Sequence, residues 1–209
     1  MTPTPLAEEH LAELGRCLAS GGVAVFPTDT VYGLGCDPEA PAAVERLYRL
    51  KGRPADRPAA VMFFNLDGAL AALPRLEGGE RRAIAALLPG PATLLLPNRD
   101  RRFPLACGPE PDVLGLRVPH LGAGLQALEP LRAPIMQSSA NVSGGPESRI
   151  LAEVPSELRE AADLLIDGGE LPGLASSVID LRGYEHSGEW RVLREGPLSE
   201  ESVARALAP

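Results

Sequence analysis

The chain is poor in lysine, cysteine and histidine, and these shortages exclude several kinds of site. It has three cysteines and three histidines in 209 residues, with no CxxC or HExxH pattern. That composition argues against a disulfide framework and a structural zinc site, so we expect no protein-bound metal. A P-loop ends in GK[ST], and the chain's one lysine stands in the sequence LKGR, so no P-loop is present.

Long apolar runs and an excess of basic residues are also missing. No apolar run approaches the roughly 20 residues that cross a bilayer, and residues 1–10 lack the basic and apolar regions of a signal peptide. We therefore expect a cytoplasmic protein without a membrane partner. The net charge of −8 disfavours broad nucleic-acid binding, which depends on neutralising many phosphates, but it permits a small anion in a local basic pocket.

Length and composition favour one globular domain over residues 1–209, with 44% apolar and 23% charged residues. Hydrophobic periodicity predicts helices over 6–19, 41–50, 67–73, 79–88, 151–162 and 199–207. Short apolar runs predict strands over 23–26, 59–64, 92–97, 113–118, 134–137, 163–167, 176–181 and 190–194. The alternation of strands and helices indicates an α/β protein.

The chain has 20 lysine and arginine residues, and Lys51 alone is a lysine. An ammonium is a compact point charge, whereas a guanidinium is a rigid planar fork, so a lysine kept at one place suggests a role that arginine does not fill. Arg53 and Arg57 follow closely, at the end of the helix predicted over 41–50. This cluster of cations indicates an anion site; a solvated basic patch is the alternative.

Two polar loops follow apolar strands, at the strand ends where α/β sheets bind ligands. They are PTDTVYGLG at 27–35 and SSANVSGG at 138–145, rich in hydroxyl and glycine residues. Either could be an ordinary turn or part of an anion cradle. Arg117 lies in an apolar strand, so we expect it to meet a carboxylate from the protein or a ligand. Together these features predict a pocket for a polyanion such as a nucleoside triphosphate.

Seven short motifs then give the chain a family resemblance. They are PTDTVYGLG (27–35), KGRP (51–54), PGPAT (89–93), LRVP (116–119), SSANVSG (138–144), SSVID (176–180) and VLREG (192–196). In this order they resemble the threonylcarbamoyl-AMP synthase family in its short form. The resemblance implies a single YrdC-like α/β domain, with a twisted mixed sheet flanked by helices and a central ligand cavity.

Members of that family make threonylcarbamoyl-adenylate from ATP, bicarbonate and L-threonine and release pyrophosphate. The resemblance implies that the threonine amine captures bicarbonate as a carbamate, which attacks the α-phosphorus, with Mg²⁺ bound through the nucleotide. A tRNA threonylcarbamoyl transferase is the implied partner that consumes the product for tRNA modification, and weak contact with RNA is also implied.

The resemblance also assigns roles to residues by their place in the motifs. The implied catalytic residues are Lys51, Arg53, Ser139 and Asn141. The implied ATP-binding residues are Lys51, Arg53, Arg57, Asn141, Arg149 and Arg194. The implied threonine-binding residues are Thr30, Arg117, Ser139 and Ser176.

Three positions depart from the family pattern: Met62 replaces a histidine near the threonine site, His120 stands one place early, and Arg149 replaces a small hydroxyl residue. A YrdC-like paralogue that binds RNA, or that adenylates a different carbamoyl acceptor, is therefore an alternative. A serine hydrolase is a further alternative, with Ser138 or Ser139 as nucleophile and Lys51 as base.

Overall fold

The computed structural model describes residues 5–54 and 56–208. The described strands are β1 Ala24–Phe26, β2 Gly33–Cys36, β3 Ala60–Met62, β4 Ala92–Pro97, β5 Val113–Arg117, β6 Ile135–Ser139, β7 Leu164–Leu165, β8 Ser177–Asp180 and β9 Arg191–Arg194. The described α-helices are α1 Glu8–Ala19, α2 Pro41–Lys51, α3 Leu66–Ala72, α4 Gly78–Leu87, α5 Pro104–Cys107, α6 Ser156–Ala161, α7 Tyr184–Ser187 and α8 Glu200–Ala206. Short 3₁₀ turns occupy Gln126–Leu128 and Leu151–Glu153.

The strands form one mixed sheet in the order β7-β1-β2-β6-β3-β5-β4-β8-β9. Three neighbouring pairs are parallel, namely β1 with β7, β3 with β5, and β4 with β8. The other pairs are antiparallel. This arrangement confirms the predicted α/β class with a mixed sheet flanked by helices. No helix within the described residues has the length and apolar character needed to span a bilayer.

The two faces of the sheet are buried differently. Successive residues of a strand point to opposite faces, and on one face apolar side chains such as Val61, Leu94 and Leu116 belong to a large core shared with the helices. On the other face a second cluster joins Leu18 of α1 to Phe26 and Met62. That cluster covers the β1 side of this face, and the rest of the face borders a cavity.

Several sequence-based boundaries hold because local signals specify them. The strand predicted at 92–97 is β4, and the helix predicted at 41–50 is α2, which extends one residue further to Lys51. Gly52 follows α2 with a φ of 57°, a left-handed conformation that favours glycine and ends the helix. The helix predicted at 199–207 is α8, and Ser199 caps it, since its side chain accepts a hydrogen bond from the Ser202 amide.

Other predictions were wrong. Residues 27–35 are not a loop throughout, because Gly33–Cys36 forms β2, paired on one side with β1 and on the other with β6. The helix predicted over 151–162 is a 3₁₀ turn followed by α6, and Pro155 lies at the junction, where a proline suits the start of a helix but not its interior. The segment between the strands predicted over 92–97 and 113–118 contains the short helix α5, which was not among the predicted helices.

Candidate active site

A cavity of about 460 Å³ lies against the half of the sheet that α1 leaves uncovered. Alternate residues of the central strands line it, because alternate side chains share a face: Thr93 and Leu95 of β4, and Val113, Gly115 and Arg117 of β5. Ala60 of β3 pairs in register with Gly115, and these two small residues leave room above the sheet. Charged and hydroxyl side chains from the neighbouring loops close its sides.

Lys51 lies directly behind the cavity wall, and its ammonium is fully used by the protein. Its side chain is only 2% exposed. Nζ donates to the Asn141 carbonyl at 2.8 Å, to Asn141 Oδ1 at 3.0 Å and to the Ser139 carbonyl. Burial, and the nearby guanidinium of Arg53, lower the pKa of Lys51 to about 8. Lys51 therefore fixes the loop that follows β6 and adds a positive charge near the cavity.

The same loop is held by its own side chains. Ser139 Oγ donates to Asn141 Oδ1 at 2.7 Å, and Asn141 Nδ2 donates to the Gly145 carbonyl at 2.7 Å. Since Asn141 Oδ1 also accepts from Lys51, one amide oxygen joins the lysine to the serine. The hydroxyl of Ser139 faces the cavity from a position that Lys51 and Asn141 determine.

Arg53 crosses from the end of α2 to the cavity wall. Its Nη1 donates to Ser138 Oγ at 3.0 Å and its Nη2 donates to the Pro58 carbonyl at 2.6 Å. Burial lowers the pKa of the guanidinium, although an arginine stays charged in proteins. Its Nε is buried and has no hydrogen-bond partner among the described residues. Arg53 is therefore oriented by the protein and lines the cavity, and the described residues do not fill its hydrogen-bonding capacity.

Arg117 meets an internal carboxylate, which is one of the two outcomes the sequence predicted. Its Nη2 lies 2.7 Å from Asp29 Oδ1 and donates to the hydroxyls of Thr28 at 3.2 Å and Thr30 at 2.5 Å. The ion pair is buried, with side-chain exposures of 3% and 6%. Asp29 Oδ2 also accepts the backbone N–H of His120. The loop between β1 and β2, residues 27–32, thus orients Arg117, whose buried Nε has no partner among the described residues.

Hydroxyl groups and a further arginine form the opposite wall. Arg194 donates from Nη2 and Nε to the Ser176 carbonyl at 2.7 and 3.1 Å. Ser176 Oγ lies 2.9 Å from Thr93 Oγ1, so the two hydroxyls share a hydrogen bond beneath Arg194. Burial lowers the pKa of Arg194, and the positive charge of Arg117 lowers it further.

The structure brings most of the sequence-predicted site residues together. Those that line the cavity are Arg53, Arg117, Ser139, Ser176 and Arg194. Lys51, Asn141 and Thr30 contact lining residues through the hydrogen bonds described above. Arg57 and Arg149 do not line the cavity: Arg57 is exposed, and Arg149, 51% exposed, pairs with Glu170. Met62 lies in the apolar cluster under α1 and not in the cavity wall.

Several lining residues escaped the sequence analysis. Glu147 brings a carboxylate into the cavity, and its buried Oε2 has no hydrogen-bond partner among the described residues. At another part of the wall Arg182 pairs with Asp180 at 2.7 Å and with Glu110 at 3.4 Å. Period-two alternation in the strands could have indicated Thr93 and Gly115. Nothing in the sequence alone marks Glu147, because it lies in an irregular segment.

The cavity can chemically accommodate an anion and hydrogen-bonding groups at the same time. Arginines with unused N–H donors suit phosphate or carboxylate oxygens, and hydroxyls can orient a neighbouring polar group. No group of three or more histidine, cysteine, aspartate or glutamate residues that could hold a metal ion occurs in 5–54 and 56–208. The arrangement therefore favours binding and positioning through charge and hydrogen bonds.

The mixed sheet and the cavity on its open face define an α/β protein of the YrdC-like fold class. The family model Sua5_yciO_yrdC, described as "Telomere recombination", matches residues 16–196. The chain belongs to this Sua5/YciO/YrdC family.

Curated relatives carry the name threonylcarbamoyl-AMP synthase. The Chromohalobacter salexigens protein is 34% identical over 179 residues, which are 85% of this chain and 95% of that protein. The Pyrococcus abyssi protein is 31% identical over 193 residues, 91% of this chain, but the chain spans only 55% of its length. The crystal structure of P. abyssi Sua5 complexed with L-threonine matches with a TM-score of 0.80 and 30% identity, covering 96% of this chain and 58% of that one.

Proposed function

We propose that this protein synthesises L-threonylcarbamoyl-adenylate from L-threonine, bicarbonate and ATP, with release of pyrophosphate. The observation that carries the proposal is the cavity wall, which Arg53 and Arg117 share with Ser139 and Ser176. Each arginine has a buried Nε without a hydrogen-bond partner among the described residues. The names of the curated relatives and the threonine complex of P. abyssi Sua5 support the choice of reaction.

Two bonds between heavy atoms form and two break along this reaction. The ammonium of threonine loses a proton, and the resulting amine attacks the carbon of bicarbonate. The bond from that carbon to the bicarbonate hydroxyl breaks, which gives a carbamate and water. A carbamate oxygen then attacks the α-phosphorus of ATP, and the bond from that phosphorus to the bridging oxygen breaks to release pyrophosphate. The protein contributes positioning and neutralisation of the charge that develops on phosphate oxygens.

The proposed roles follow the placement of each side chain. Arg53 and Arg194 hold the nucleotide phosphates, and Arg117 holds the threonine carboxylate, since a guanidinium suits a carboxylate. Ser139 and Ser176 supply hydroxyls to the reacting groups, and Thr30 orients Arg117. Lys51 and Asn141 position Ser139, and the charge of Lys51 assists ATP binding.

Arg57 and Arg149 lie outside the cavity wall, so their proposed contact with ATP would be at its margin. Mg²⁺ would be carried by the nucleotide phosphates, as is common where phosphates supply most of the ligands. We propose further that the product passes to a tRNA threonylcarbamoyl transferase and that the protein acts in the cytoplasm as one domain over residues 1–209.

Pyrophosphate release with each substrate omitted in turn tests this function. We expect release only when ATP, bicarbonate and L-threonine are all present. Arg53→Ala should lower kcat by about 100-fold, the scale seen when one preorganised donor is removed from an active site. Arg49→Ala is the control, because Arg49 lies four residues before Arg53, at the end of α2, and its side chain is 69% exposed. Release that ignores threonine and bicarbonate would contradict the proposal.

A further inference from the structure

Three buried side-chain atoms lack a hydrogen-bond partner among the described residues, and all three belong to residues that line the same cavity. They are Arg53 Nε, Arg117 Nε and Glu147 Oε2. Buried polar atoms in proteins are nearly always hydrogen-bonded. The cavity wall therefore holds two cations and one carboxylate whose hydrogen-bonding capacity the described residues do not fill. A ligand that satisfies all three must present both an anion and a hydrogen-bond donor.

The negative charge of Glu147 is unexpected in a cavity suited to phosphates. The surroundings of Glu147 are cationic, because Lys51 and Arg194 both lie near it. The negative charge of Glu147 acts to raise the pKa of each of these two residues. A carboxylate close to a polyphosphate is repelled by it. A neutral side-chain oxygen in place of the carboxylate would accept a hydrogen bond from a ligand hydroxyl without this repulsion. The charge is useful only if the ligand group that faces Glu147 is itself positive.

A free amino acid has the required combination of charges, because it carries a carboxylate and a protonated amino group. Within the proposed function, the carboxylate is assigned to Arg117. We propose that Glu147 accepts a hydrogen bond from the protonated amino group of the amino-acid substrate, and so selects for an amino acid over other small carboxylates. This inference rests on the proposed function and adds Glu147 as its specificity-determining residue.

Glu110 provides a matched comparison, because it is a second glutamate in the cavity wall. Its Oε2 lies 3.4 Å from Arg182 Nη1, and its side chain is 63% exposed. The charge of Glu110 is thus already paired and screened by water, whereas the protein supplies no hydrogen bond to Glu147 Oε2 among the described residues. Only Glu147 meets the conditions for a strong bond to a ligand cation.

Calorimetric titration of L-threonine and of 3-hydroxybutanoate tests the inference. The second compound keeps the carboxylate and the hydroxyl of threonine but lacks the amino group. A hydrogen bond between charged groups contributes enough for Glu147→Gln to weaken threonine binding by about 10-fold or more. The same variant should bind 3-hydroxybutanoate as the wild type does, and Glu110→Gln should bind both compounds as the wild type does.

The other outcomes each decide the question. Unchanged threonine affinity in Glu147→Gln would overturn the inference, and so would a loss confined to ATP, which would place the carboxylate against the nucleotide or its metal. If the wild type binds another amino acid instead of threonine, the proposed substrate is wrong. The same comparison with that amino acid and its amine-free analogue then tests Glu147 separately. Failure of the wild type to bind any amino acid would overturn both proposals.

Discussion

Replacing Lys51 separates the contribution of its charge from that of its geometry. Lys51→Met removes the ammonium but keeps most of the apolar stem, so the carbonyls of Ser139 and Asn141 lose a donor. Asn141 Oδ1 keeps its bond from Ser139 Oγ. A buried acceptor left without a partner costs about 1–3 kcal/mol. Because two carbonyls are affected, we expect Lys51→Met to lower the free energy of unfolding by about 2–6 kcal/mol.

Lys51→Arg keeps the charge but places a larger, planar group in an enclosed site. Overpacking of this kind costs about 1–3 kcal/mol, and both variants should fold if the protein has an ordinary stability of about 5–15 kcal/mol. Both should displace Ser139, at the end of β6, and the loop that follows it. A displacement of about 1 Å near the reacting groups can lower the rate by about 100-fold.

Urea unfolding and pyrophosphate release measure the two effects on the same preparations. Arg49→Met is the control, because the Arg49 side chain is exposed and its Nη1 lies 3.8 Å from Glu45 Oε1. Its effect on stability should stay within about 0.5 kcal/mol. If Lys51→Arg retained the stability and the rate of the wild type, the inference that this site requires the compact ammonium of a lysine would be refuted.

Three further predictions concern pH, stability and substrate selection. The pKa of Lys51 is lowered to about 8, so Lys51 is charged below that pH and neutral above it. ATP affinity measured by calorimetry should therefore fall as pH rises through 8. Lys51→Met should show no such fall. Glu80 is fully buried and accepts two bonds from Arg99, at 2.8 and 2.9 Å, so Glu80→Ala should lower the free energy of unfolding in urea by about 3–5 kcal/mol. Its kcat should be unchanged, since neither residue lines the cavity. Arg117→Lys removes the planar guanidinium that contacts Asp29, Thr28 and Thr30. Threonine binding should weaken by about 10-fold or more, while ATP binding stays the same. Equal losses for both ligands would argue against the assignment of the threonine carboxylate to Arg117.

The elements predicted well from the sequence are those with strong local signals. β4 is a compact apolar run bounded by prolines, and α2 combines a proline at its start with a glycine after its end. β2 was missed because its sequence GLGC has little intrinsic preference for a strand. Its conformation is determined by pairing with β1 and β6, which lie on either side of it in the sheet.

The candidate site shows the same division between local and tertiary information. Lys51 and Arg117 could be singled out from the sequence, because a lone lysine and an arginine in an apolar strand are unusual. Their partners could not all be predicted: the bonds of Lys51 to Ser139 and Asn141 join residues 88 and 90 positions apart. Glu147 was missed because its importance depends on the burial of Oε2 and on the lack of a hydrogen-bond partner for that atom in the described part of the chain, which only the fold reveals.

Incubation of the protein with ATP, L-threonine and ¹³C-labelled bicarbonate tests the central claim most directly, with the nucleotide products analysed by mass spectrometry. We expect a threonine-containing adenylate that carries the ¹³C label and that forms only when all three substrates are present. Conversion of ATP to AMP or ADP without any labelled adenylate would contradict it.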